Sequence, residues 1–565
     1  MKFSIGNFQA EYDKSAQQFE SENLAKRIWE KDFTIWSHKP DEITNRLGWL
    51  TSPQNSLSKL KEIQTFVEEV RKDGFKKALL LGMGGSSLAP EVFRLTFGVK
   101  EGYLDLAVLD STDPQAVLNC AKTFDPAETL YIVSTKSGGT VETFSFMKYF
   151  YNLASEKVGK DKVGNHFVAI TDPGSGLEST AKQLNYRKIF LNDPNIGGRY
   201  SALSLFGVVP AALIGVDVAQ VLRIAEAFAN TSKVSSSVKN PSAQIGVLMG
   251  LHAKHGKDKV TFINAVELSY FGAWVEQLIA ESTGKVGKGI LPVVGEDILA
   301  PDKYSSDRLF VYVCLKNDDT LREKVEAFKN AGHPVVEIAL HDVNELGAEF
   351  FRWEFATIVA SWLINIQPFD QPNVESAKIV ARKMVQEYKE TGKLPELNVA
   401  IEESGIKVSG TTEATSLKEL VTKLLDSMNS QDASLPKPYV SIQAYLTMNK
   451  ENEELLQVLR TKIQEKYKVA TTVGFGPRFL HSTGQLHKGD AGNGLFIQFI
   501  STAAEDAAIP DEAGDDKSSM SFGVLIKSQA LGDRQALLDN QRRLITVDLG
   551  KDVATGLSVF TELVY

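Results

Sequence analysis

Five segments of the chain set chemistry-bearing side chains beside glycines. Residues 81–90, LGMGGSSLAP, follow the apolar run KALL at 77–80. Glycines let backbone approach a ligand closely, and free amides at the start of a helix attract anions. Ser86 and Ser87 add hydroxyl donors, so a phosphate is the natural guest; the plain alternative is a tight turn with Ser86 or Ser87 as helix cap. No Gly-Lys-Ser/Thr follows, which excludes a Walker loop.

The same design recurs in 134–143, STKSGGTVET, where another apolar run ends in hydroxyls, a lysine and two glycines. Ligands of open parallel sheets sit outside the carboxyl ends of the strands, so two such loops make one phosphate pocket. Lys136 would supply positive charge there, or simply be a solvated loop lysine; Glu142 would open the following helix, as first-turn glutamates do.

In 195–207, NIGGRYSALSLFG, two glycines let Arg199 project from a turn, where a permanent cation suits a developing oxyanion or a structural ion pair. In 277–285, QLIAESTGK, Gln277 and Glu281 are four residues apart and share a helix face. Leu278 and Ile279 tie that helix to a core, and a carboxylate in such a place can act as a base. Taken alone, Glu281 also fits a surface residue closing a helix. In 478–489, RFLHSTGQLHKG, His481, His487 and Lys488 could move protons and hold charge. The His-x5-His spacing lacks the cysteines or carboxylates of a zinc site, and the plain reading is a mobile polar loop.

Elements that could position these residues alternate along the chain. Apolar runs at 77–82, 105–110, 129–135, 166–171 and 187–192 are separated by helical stretches such as 140–154, the rhythm of a parallel α/β sheet with helices on both faces. A second set follows: 308–315, a helix over 320–332, 334–340, and a helix over 347–364. The expected organisation is an N-terminal helical layer (1–60), a first α/β domain (61–220), a helical connection carrying Glu281 (221–300) and a second α/β domain with a C-terminal extension (301–565). The stretch 429–438 reads as a linker, and the acidic 505–516 as a solvated loop.

At 565 residues the chain is too long for one ordinary core. A formal charge of −9 argues against a nucleic-acid partner. Cys120 and Cys314 are far apart and form no disulfide framework. The N-terminus lacks a signal core, and the apolar stretch 355–366 is too short to span a bilayer, so no membrane role and a cytoplasmic location are expected. No dinucleotide fingerprint, GxSxG elbow or HExxH is present, which leaves acid–base chemistry on a phosphorylated metabolite, with no cofactor and no metal.

The motifs GMGGSSLAP, STKSGGTVET, NIGGRYS and QLIAESTGK, together with IQPFDQPNVE at 366–375, resemble those of the glucose-6-phosphate isomerase family, in the family's order. The opening NLAKRIWEKDFTIW (23–36) and the form of 478–489 look most like the isomerase half of bacterial transaldolase–isomerase fusions. The resemblance implies two sugar-isomerase-type three-layer α/β domains with parallel sheets flanked by helices, helical extensions at both ends, a homodimer, and interconversion of glucose 6-phosphate and fructose 6-phosphate through an enediol(ate). It also implies a transaldolase fusion or partner among relatives. By resemblance, Gly85 and Ser86 line the sugar site. Thr135, Lys136, Ser137 and Thr140 form the phosphate loop, followed by Glu142. Gly198 and Arg199 belong to the loop whose arginine steadies the enediolate, Gln277 and Glu281 to the helix that carries the base, with Glu281 catalytic and Gln277 binding substrate, and Lys488 serves ring opening.

Two departures stand out. The family's usual Gly-Gln-His motif after the base is absent, the comparable region reading YSSDRLF at 304–310; His481 stands where the family usually has glutamine. His481 is therefore expected to open the ring. The alternatives are a non-catalytic sugar-phosphate regulator, which can lose the base, and an isomerase that also accepts mannose 6-phosphate.

Overall fold

The structure is a computed structural model that describes residues 1–410, 414–430, 432 and 434–564. Gln431 and Ala433, within the stretch expected to be a linker, lie outside the described residues, as do 411–413 and Tyr565.

Three mainly parallel sheets organise the chain. In the first, strand Lys77–Gly82 lies between Asp105–Leu109 and Thr129–Ser134, followed by Phe167–Thr171 and Lys188–Leu191, all parallel. These runs are apolar on both faces because both are covered. Ala78, Leu80, Leu130 and Ile132 enter one core, and Leu79, Leu81, Tyr131 and Val133 enter another on the opposite face.

The second sheet pairs Val335–Leu340, Arg308–Leu315, Lys259–Asn264 and Leu291–Val293 in parallel. Its inner face, with Val260, Phe262, Val311 and Ile338, shares one apolar cluster with the inner face of the first sheet. Helices Pro241–Lys254, Phe271–Thr283 and Leu346–Leu363 fill the space between, the last of them buried along its whole length.

Here the structure departs from the sequence reading. Residues 259–264, expected to be helical connection, form an inner strand of the second sheet. Six residues with only Val260, Phe262 and Ile263 apolar do not by themselves distinguish a buried strand from a helix, and the neighbours on both sides are helical. The N-terminal layer adds a strand, Lys2–Ser4, antiparallel to Val335–Leu340, and its Trp29 stacks on Phe351. The segment thus leans on the second sheet and its helices as well as on the first.

The C-terminal part differs most. Strands Tyr439–Tyr445, Ala470–Phe475, Gly494–Ile500 and Arg543–Asp548 are parallel, and an antiparallel pair, Ile401–Glu403 and Ile406–Gly410, completes a third sheet with its own apolar core. The residues after 301 therefore contribute strands to both the second and the third sheets, and the C-terminal extension is itself α/β. The acidic 505–516 is anchored rather than free: Asn152 Nδ2 donates to Asp515 O at 2.7 Å, and Ile509 is buried beside Phe522. Among the described residues no helix is long and apolar enough to cross a membrane, and Cys120 and Cys314 are free thiols.

Candidate active site

In the first sheet the chain moves outward from Lys77–Gly82 on one side and returns on the other at Thr129–Ser134. Such a reversal opens a crevice at the carboxyl ends of the two strands. The loops that leave there are 83–87 and 135–140, the two hydroxyl-rich loops. They meet: Ser134 Oγ donates to Ser86 O at 3.2 Å. Thr135 Oγ1 and Thr140 Oγ1 are 3.0 Å apart. Gly138 has φ +65°, and a Cβ there would lie 2.4 Å from Leu177 N, so the turn requires glycine on both counts.

A cavity of about 740 Å³ opens over these loops. Every residue assigned a site role from sequence lines it: Gly85, Ser86, Thr135, Lys136, Ser137, Thr140, Glu142, Gly198, Arg199, Gln277, Glu281, His481 and Lys488. They come from the first sheet, the helix after the second sheet's inner strand, and the segment between two strands of the third sheet. Close approach of the loops is part of the design. A Cβ on Gly85 would lie 2.0 Å from Gly198 O. Gly85→Ala is therefore expected to push the two loops apart and lower kcat/KM about a hundredfold, the size of effect that small misplacements of reacting groups produce. Steady-state kinetics checks this; an unchanged kcat/KM would show that the loop contact is dispensable.

Arg199 is fully committed. Its Nε donates to Ser282 Oγ at 2.9 Å and its Nη2 to Pro368 O at 2.6 Å and Asp370 O at 3.2 Å, while Nη1 pairs with Glu281 Oε1 at 3.1 Å. Tyr200 OH lies 3.0 Å from the same Ser282 hydroxyl. Glu281 is buried, and its other oxygen, Oε2, has no hydrogen-bond partner. One helical turn earlier, Gln277 Nε2 donates to His481 O at 2.6 Å, and Gln277 Oε1 is likewise without a partner. Buried polar atoms left unpaired are costly, and a polar ligand in the cavity would relieve that cost.

The segment 478–489 is no mobile loop. Residues 478–481 form a short 3-10 turn and Gly484–Gly489 a buried helical turn. Lys488 Nζ lies 2.5 Å from Asp533 Oδ1, both side chains being almost fully enclosed. His487 is turned away from the cavity against Phe496, Ser441 and Gln443. Burial, with Lys488 and Arg542 nearby, pushes its pKa well below the usual histidine range, so it is a neutral core residue.

His481, by contrast, faces the site. Its Nε2 donates to Glu142 Oε1 at 2.9 Å, and Gln529 Nε2 donates to the same oxygen at 2.7 Å. Burial alone would raise the pKa of Glu142, but His481 beside it and Lys378 beyond hold it below the ordinary carboxylate range. Glu142 is thus a buried carboxylate that fixes an imidazole ring, which goes beyond the substrate contact expected of it. No residue of 304–310 lines the cavity.

Lys136 also differs from expectation. Its ammonium pairs with Asp172 and donates to Pro194 O at 3.0 Å, so it brings little unbalanced charge. Arg46, Lys378 and Arg382 line the cavity too and were not anticipated. Lys378 and Arg382 are four residues apart on helix Val374–Thr391 and so share a face, the one signal available in the sequence. Gln529, which holds Glu142, carried no local signal at all.

Crossing loops at a sheet's switch point, with a buried carboxylate–guanidinium pair and an enclosed lysine around them, define a class of α/β protein that binds a small anionic ligand and presents it to acid–base groups. The comparisons narrow the class. The family model for phosphoglucose isomerase matches residues 54–289. A glucose-6-phosphate isomerase from Citrifermentans bemidjiense is 30% identical over 400 residues, which are 59% of this chain and 73% of that protein. One from Methanocaldococcus jannaschii is 29% identical over 352 residues, 56% of this chain and 86% of that protein. The chain belongs to the phosphoglucose isomerase family. Among solved structures, the hypothetical protein TT0462 from Thermus thermophilus superimposes with a TM-score of 0.59 at 24% identity, covering 68% of this chain and 99% of that one, a likeness of fold.

Proposed function

We propose that the protein interconverts glucose 6-phosphate and fructose 6-phosphate through an enediol(ate). The observation that carries the reading is the buried Glu281–Arg199 pair at 3.1 Å in the cavity that also holds the two hydroxyl loops. The loops, with Ser86, Thr135, Ser137 and Thr140, take the phosphate, and binding energy from this distant group orients the reacting carbons. In the open-chain aldose, Glu281 removes the proton from C2. The C–H electrons form the C1–C2 double bond, and the carbonyl electrons move to the C1 oxygen, beside the Arg199 cation. The C2 hydroxyl passes its proton to the C1 oxygen and becomes the ketone while the C1–C2 double-bond electrons take the proton back from Glu281 at C1, so atoms and charge balance. No step calls for a metal or cofactor.

Ring opening falls to His481, held by Glu142, with Lys488 close by. His481→Gln is expected to lower kcat/KM for the closed-ring substrate about a hundredfold, at the low end of general acid–base effects, and to spare an open-chain analogue. Equal losses on both substrates would remove His481 from this role. The reading extends to a homodimer in the cytosol and to relatives fused to a transaldolase, as the resemblance implies. Turnover of fructose 6-phosphate, followed by a coupled dehydrogenase in the presence of chelator, tests the activity itself.

A further inference from the structure

The helix that carries Glu281 ends in Ser282-Thr283-Gly284-Lys285, and Lys285 has no part in the mechanism above. It is buried, at 1% exposure, and does not line the cavity. Its Nζ donates to Gln367 O at 2.8 Å, Asp370 O at 2.6 Å and Asp370 Oδ1 at 2.7 Å. Asp370 O is also an acceptor of Arg199, which takes Pro368 O from the same loop. Two buried cations thus hold one short loop and share the Asp370 carbonyl. The loop in turn presents Phe369 to the cavity, where it packs on Tyr200 with ring centroids 5.3 Å apart.

We infer that Lys285 is a positioning residue for Arg199: its ammonium fixes the 367–370 carbonyls that fix the guanidinium, and loss of one proton releases them. An ammonium has three N–H bonds and here meets three oxygens; a neutral amine has two and must turn its lone pair toward the third. The loop would then lose a contact at the carbonyl that Arg199 shares. Physiological titration is within reach, because burial, with the charge of Arg199 adding to it, lowers the Lys285 pKa to about 7 against the pull of Asp370 and Glu281. Those three are the charged groups that face it. Gln485, from the helical turn Gly484–Gly489, meets the adjoining Gly284 O and carries no charge, and Lys288 reaches away to Ile364 O. The sign follows: the charged, three-bonded state exists below about pH 7, and activity falls as pH rises through that value.

The inference rests on the isomerase reading, so the test has a kinetic arm and an arm independent of turnover. In the kinetic arm, kcat/KM for fructose 6-phosphate is followed against pH in the wild type, Lys285→Met and Lys285→Arg. The wild type is expected to show an alkaline limb near pH 7. That limb should have the large ionisation enthalpy of an amine, well above that of a carboxylic acid. Lys285→Met should lose the limb and about tenfold in kcat with KM little changed. Lys285→Arg, charged at every working pH, should recover part of kcat and stay flat. A limb that persists in Lys285→Met, or carries a carboxylate's enthalpy in the wild type, overturns the proposal. In the second arm, Phe369 is replaced by 4-fluorophenylalanine and its fluorine resonance titrated. A midpoint near 7 that vanishes in Lys285→Met supports the coupling; a signal unmoved by pH in the wild type overturns it, whether or not the protein turns over substrate.

Discussion

Glu281→Gln is expected to lower kcat by about a hundred- to ten-thousand-fold, the range that general acid–base groups contribute. The amide keeps the side chain's length and can still face Arg199 Nη1, which Glu281 Oε1 meets at 3.1 Å, so folding should be spared. What it cannot do is accept the carbon-bound proton. The phosphate loops lie on the first sheet and make no hydrogen bond to Glu281, so the affinity for a substrate analogue, measured by calorimetry, should stay nearly constant. A loss confined to kcat identifies an interaction used only in the transition state. A loss of less than tenfold would assign the base to another residue.

Arg199→Met is expected to be the more disruptive change, because it acts on stability as well as on rate. It strips the guanidinium from Ser282 Oγ, Pro368 O and Asp370 O, and it leaves Glu281 buried without its partner. Removing one member of a buried ion pair costs about 3–5 kcal/mol, since the remaining charge has lost both water and counter-ion. Thermal unfolding should therefore shift down clearly. In the folded fraction, kcat should fall by a further hundred- to thousand-fold, the range seen when one donor to a developing oxyanion is removed. Glu281→Gln combined with Arg199→Met should recover part of the lost stability and none of the activity, because the orphaned charge is gone. A single variant with full stability would mean that Glu281 is not charged beside Arg199.

Much of the fold could be read from local pattern. The strands of the first sheet are continuous apolar runs because helices cover both faces, and the runs at 77–82, 129–135 and 166–171 end in glycine or hydroxyl residues. Lys259–Asn264 escaped because it is short and lies between long helices. The strands of the third sheet were not legible in the sequence as a set, and their separation from the second sheet is a matter of pairing partners, which no local pattern contains. The site followed the same division. Gln277 and Glu281 share a helix face by spacing alone. The loops at 83–87 and 135–140 meet because their strands, not consecutive in the chain, pair side by side in the sheet, again a matter of partners rather than of local pattern. The His481–Glu142 contact spans 339 positions and arises only when the third sheet docks against the first. Lys136 looked like a free cation because Asp172, its partner, stands on a different loop.

The central claim is that this cavity moves a proton between two carbons of a sugar phosphate with Glu281 as the carrier. It is tested most directly by incubating the protein with fructose 6-phosphate in D₂O containing chelator and locating deuterium in the product by NMR. The account predicts glucose 6-phosphate labelled at C2 and nowhere else, formed by the wild type and not by Glu281→Gln. Binding of fructose 6-phosphate without product, or product formed equally well by Glu281→Gln, would contradict it.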